Sequence, residues 1–125
     1  MKNALLPLLA LIFAAATASA QEPAARVQTH FQNLMNAVQT ADYAAMTIDG
    51  DPAFKAGLTK EMVEKVSAQL APRMKQGYTA TFLTAMRQVS YEVFIWKLSF
   101  KDGKDDMLAK VALNKDGQVA GFWIN

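Results

Sequence analysis

The sequence predicts an α+β domain in which N-terminal helices pack on one face of a four-stranded antiparallel meander. Two observations predict it. Apolar residues recur at helical spacing as far as Leu70 and alternate strictly after Gly77, a change from a 3.6-residue to a 2-residue period. The pairs Asp102-Gly103 and Asp116-Gly117 separate the alternating runs, and Asp-Gly between strand-like segments marks a tight hairpin. Helices first and strands after make a two-layer arrangement with the helices on one side of the sheet.

Residues 1–20, MKNALLPLLALIFAAATASA, have the form of a secretory signal peptide. They carry one lysine, an uncharged apolar run of 13 residues from Ala4 to Ala16, and the small-residue site Ala18-Ser19-Ala20. The run is shorter than the roughly 20 residues of a membrane-spanning helix, and no cysteine follows it to carry a lipid. Cleavage is therefore expected between Ala20 and Gln21, leaving residues 21–125 as a single domain with no membrane anchor. Without Lys2 that domain carries 12 basic and 11 acidic side chains, a formal charge of +1. No cluster of Lys and Arg remains to mark a nucleic-acid partner. With no cysteine anywhere, a hydrophobic core alone must hold the domain, and export to the periplasm fits this better than secretion into the medium.

The first helix is expected over EPAARVQTHFQNLMNAVQTADY, where Val27, Phe31, Leu34, Met35 and Val38 share one stripe. In DYAAMTIDGDPAFKAGL, Gly50 and Pro52 enforce a turn between short helical segments. Thr59 caps the next helix, whose stripe is Met62, Val63, Val66 and Leu70 and whose Glu61 and Glu64 suit its N-terminal end. Pro72 is expected to end or kink it. Four strands follow in ATFLTAMRQVS, YEVFIWKLSFK, DMLAKVAL and QVAGFWIN. In the second, Phe94, Trp96, Leu98 and Phe100 fall on one face and Tyr91, Val93, Ile95, Lys97, Ser99 and Lys101 on the other. The wholly apolar set should meet the helices. The run Phe122-Trp123-Ile124 predicts a last strand with its side chains buried.

Leu58-Thr59-Lys60-Glu61-Met62 at a helix start, Gly77-Tyr78 ahead of the meander, and the closing Lys115-Asp116-Gly117-Gln118-Val119-Ala120-Gly121-Phe122 resemble the nuclear transport factor 2-like (cystatin-like α+β) superfamily. Within it the pattern is most similar to the secreted domain-of-unknown-function 3887 branch. The resemblance covers nearly all of residues 21–125 and implies a fold. Its members include ligand carriers, small cone-pocket enzymes and domains with no assigned activity, so it does not select a function.

Candidates for catalysis are few. The chain has one histidine, His30, and no cysteine, so a Cys-His pair is impossible and any metal site would rest almost wholly on carboxylates. Neither a metal nor a cofactor is expected. His30 lies on the flank of the first buried stripe. As a general base it would need converging partners that no spacing supplies, and the plainer reading is a half-exposed ring bonded to a backbone carbonyl. Glu92 shares strand parity with Phe94 and Trp96. It would then project from the apolar face near the mouth of a cavity; the plainer reading is a strand-end glutamate in water, since buried unpaired carboxylates are costly. Asp49, Asp51 and the run Lys101 to Asp106 lack the spacing of a calcium loop and read as solvated turns. Gln118-Val119-Ala120-Gly121 resembles the Gln-x-Val-x-Gly hairpin of cystatin-type protease inhibitors but is one residue short, which in a strand changes the side chains that share a face.

Two binding surfaces remain. Phe31, Phe94, Trp96 and Phe100 would line a pocket for a small apolar ligand if helices and sheet leave a cone between them, the competing reading being a filled core. Tyr91, Val93 and Ile95 would form an apolar patch for a second copy of the chain or another periplasmic protein. The expected function is a non-catalytic binding or protein-interaction domain that uses the outer sheet face. The alternatives are a small apolar-ligand binder, a cone-pocket enzyme with His30 as general base, and a cystatin-like protease inhibitor.

Overall fold

The computed structural model describes residues 22–125, so the expected signal peptide and the Ala20–Gln21 junction lie outside the described residues. Helices α1 (Ala25–Thr40), α2 (Tyr43–Thr47), α3 (Pro52–Gly57) and α4 (Lys60–Lys75) precede strands β1 (Tyr78–Gln88), β2 (Tyr91–Phe100), β3 (Met107–Leu113) and β4 (Val119–Ile124). The strands pair antiparallel in chain order, which is the α+β meander that the periodicity predicts.

Three of the four helices start on a side-chain cap that satisfies an otherwise free N–H. Asp42, Asp51 and Thr59 accept from the amides of Ala45, Phe54 and Met62 at 3.0, 2.8 and 3.1 Å. Asp51, followed by Pro52 in the first helical turn, is thus a helix cap. It is not the solvated turn residue expected from sequence. Pro72 does not end α4, which runs on to Lys75. The lost backbone hydrogen bond is offset by what the last turn brings: Ala71 and Met74 are buried, and Arg73 reaches the β2–β3 connection. There its Nε and Nη2 donate to Asp102 at 2.6 and 3.2 Å, and its guanidinium carbon sits 4.0 Å above the Phe100 ring.

Each strand register follows from which side chains must meet the helices. Phe94, Trp96, Leu98 and Phe100 are buried, with Phe82 opposite Trp96 and Val111 opposite Phe94. From α1, Val27, Phe31, Leu34, Met35 and Val38 close over this face, and Val63, Leu70 and Met74 of α4 complete the cluster. Full burial contributes about 1.5–3 kcal/mol for each large apolar side chain, and α1 alone supplies five. A β-bulge at Leu83 shifts the β1 register between Phe82 and Thr84. The free edge of β4 is closed at its start by residues 49–51: Asp51 N–H donates to Val119 O at 2.8 Å and Val119 N–H to Asp49 O at 2.9 Å. The β1–β2 turn contains no glycine and places Val89 at φ 56°, a costly conformation for a β-branched residue.

The hydrogen bond from Arg73, with a second from the Lys104 amide, holds the Asp102 carboxyl below the usual carboxylate range. A carboxylate depressed in the folded state adds stability above its unfolded pKa and loses it as pH falls through the folded value. Asp102→Asn is therefore expected to lower the urea midpoint at neutral pH, and the gap to the unaltered protein should close on acidification below about pH 4. Urea unfolding at a series of pH values checks both.

Candidate functional site

Between the middle of α1 and the middle of β2 the interior is packed. Phe31 stacks on Trp96 with ring centroids 3.9 Å apart and planes 8° from parallel, Phe82 meets the same indole edge-on at 5.4 Å, and Phe31 and Trp96 are each 1% exposed. Of the four expected pocket residues, Phe31 is thus consumed in the core. Phe100 lies at the other end of β2 against Arg73 and Tyr78. Only Phe94 and Trp96 border open space. A cleft of about 930 Å³ lies between the first turn of α1 and the inward side of β1, lined by Ala24, Val27, Phe82, Ala85, Phe94 and Trp96. It exists because the helices stop short: Ala85 and Arg87 are exposed although they pair with Phe94 and Glu92. Glu92 stands at its mouth, exposed. An adjoining recess of about 280 Å³ shares Arg26, Val27, Glu92 and Phe94 with it and adds Arg87 and Lys115.

His30 does not border either space. Its Nε2 lies 3.1 Å from Gly117 O, so in the neutral ring Nε2 carries the proton and donates to that carbonyl. Nδ1 is buried without a hydrogen-bond partner and faces Asp49 Oδ2 at 3.5 Å. One turn earlier Arg26 lies against the same Gly117, its Nη1 2.9 Å from where a Cβ would stand. His30 thus ties the β3–β4 turn to α1, and the exposed Arg26, four residues earlier, lies beside the same turn. Nε2 is thus engaged by a backbone carbonyl, and Nδ1 faces a half-exposed carboxylate. Val119 is buried and bonded to residues 49–51, so Val119–Gly121 lies within β4 and only Gln118, closing the β3–β4 turn, stands outside the sheet. Among the described residues, no group of three or more His, Asp or Glu side chains is placed to hold a metal ion.

The outer sheet face divides in two. Thr79, Thr81, Lys97 and Ser99 occupy one half, and Met86, Tyr91, Val93, Ile95, Ala112 and Trp123 the other. Met86, Tyr91 and Trp123 are 44%, 41% and 52% exposed, whereas Val93 and Ala112 are only 6% and 4%. Two expectations change here. Val93 is a floor residue instead of an exposed contact, and Trp123 is not buried. The Trp123 indole bends back across Gly121, leaving no room there for a Cβ. The result is a groove of about 420 Å³ whose walls are Val89, Tyr91 and Trp123, whose floor is Val93 and Ala112, and whose rim carries Lys110.

The chain matches no protein-family model and no curated protein sequence.

Gly117 has φ +81° as well as the Arg26 guanidinium against it. Gly117→Ala is expected to destabilise the domain by about 1–2 kcal/mol from the left-handed backbone alone, and further by displacing Arg26. Gly103→Ala, at φ +75° with nothing within 4 Å, should cost only the backbone part. Paired urea titrations measure the difference.

Proposed function

We propose that the chain is an exported, non-catalytic interaction domain of nuclear transport factor 2-like type that binds a protein partner across the apolar half of its outer sheet face. The observation that carries this reading is the groove between Tyr91 and Trp123: two half-exposed aromatic walls over a small buried floor. Solvated aromatic and Met side chains concentrated in one place mark contact surfaces. Helices first and an antiparallel meander last support the superfamily resemblance. The engagement of His30 with Gly117 and Asp49 supports a non-catalytic role.

Charge selects the kind of partner. In the paired rows of this face Lys97 and Lys110 are charged and no acidic side chain accompanies them. Two copies stacked face to face would bring these cations together within an apolar contact, which is unfavourable. A protein surface that inserts an apolar side chain between Tyr91 and Trp123 and offers a carboxylate to Lys110 complements both features.

A photo-crosslinking residue at Gln88, on the groove rim, tests this in the cells that make the protein. One discrete adduct with a different protein is expected, lost in Lys110→Glu and in Tyr91→Asp while circular dichroism of the purified variants stays unchanged. An adduct only with a second copy, or one indifferent to both substitutions, would overturn the reading.

A further inference from the structure

The inward side of β1 and β2 grades from apolar to charged. Its cross-strand pairs run Phe82 with Trp96, Ala85 with Phe94, and Arg87 with Glu92. The first turn of α1 faces them with the same grading, Val27 deeper and Arg26 outward. The space between is therefore amphipathic: an aromatic and aliphatic floor that opens onto guanidinium groups.

The arginines single out the mouth. Of the three in the chain, Arg73 is committed to Asp102. Arg26 and Arg87 form no ion pair among the described residues, yet both line the same recess of about 280 Å³, with Lys115 beside them. Arg26 lies beside Gly117 there. Glu92 and Glu22 also border the space and leave the cations in excess. A planar guanidinium pair favours carboxylates, which it can engage through two parallel hydrogen bonds. The adjoining 930 Å³ cleft is within the ~300–1,000 Å³ of small-molecule sites.

We propose that this cleft binds a free amphipathic carboxylate, its chain along Phe82, Ala85 and Phe94 and its head between Arg26 and Arg87. The site lies on the opposite side of the sheet from the floor of the Tyr91–Trp123 groove, and Tyr91, at the start of β2, borders both spaces.

Trp96 borders the cleft, and Trp123→Phe leaves it the only tryptophan of the two in the chain. In that background, sodium dodecanoate below its micellar concentration should change Trp96 emission saturably and raise the melting temperature. Arg87→Gln should weaken binding about tenfold or more, as expected for loss of a hydrogen bond to a charged group, and Ala85→Phe should block the chain. Uncharged dodecanol should bind at least as much more weakly, and this comparison carries the same decision if Arg87→Gln fails to fold. Equal binding of dodecanoate and dodecanol, no saturable response, or a response only to phosphatidylglycerol vesicles would overturn the proposal, the last by assigning the site to a lipid surface.

Discussion

The contact on which the rest of this molecule depends is the stack of Phe31 on Trp96. It joins the middle of α1 to the middle of β2 at 3.9 Å, and both rings are sealed from water. Offset aromatic pairs add about 0.5–1.5 kcal/mol beyond their buried area, but their larger consequence here is geometric. With two large rings in contact at the centre, and Phe82 edge-on to the same indole, little space is left between helix and sheet. Open space appears where the helical layer ends, beside β1, and on the face the helices never cover.

The orientation of α1 about that contact is set by its ends. His30 ties its first half to Gly117, and the left-handed Ala41 stops it where Asp42 can cap α2. The β3–β4 turn thus serves as hairpin and as anchor for the helix. At the other end of the sheet the Arg73–Asp102 pair plays the matching part, tying α4 to the β2–β3 connection. The helical layer is fastened at both ends of the sheet and stacked in the middle, and the strip of β1 from Ala85 to Gln88 lies outside all three attachments. That is why its inward residues remain exposed.

The fold was legible because it rests on periodicity: the stripe on α1, alternation through β2, and Asp-Gly at two of the three hairpins. On α4 only Val63 and Leu70 of the expected stripe are buried, and Met62 and Val66 are exposed, because the covered face runs through Val63, Ser67, Leu70, Ala71 and Met74. The binding surfaces were less so. Alternation read forward from Phe82 would put Met86 under the helices and Arg87 outside. The bulge at Leu83 reverses both, since one extra residue exchanges the faces of everything beyond it, and nothing in Phe-Leu-Thr announces it. The first hairpin turns at Val89 with positive φ, where glycine or asparagine would have signalled the turn. Alternation alone puts Val93 on the outer face, but its burial depends on neighbouring strands and on the way Trp123 folds over Gly121. Arg73 and Asp102 are 29 residues apart, beyond any local pattern, and Pro72 argued against the turn of helix that joins them. Arg26 could have been noticed as the cation four residues before His30; its target, Gly117, could not.

The core is closed and cooperative at Phe31 and Trp96, and open space is left toward the ends of the helical layer. A double-mutant cycle on Phe31→Ala and Trp96→Ala, read by urea unfolding, tests it most directly. Each single substitution is predicted to cost about 3–5 kcal/mol, as for large-to-small changes in a packed core, with a coupling of about 0.5–1.5 kcal/mol between them. Costs below about 1 kcal/mol and no coupling, the behaviour of side chains lining an open pocket, would contradict it.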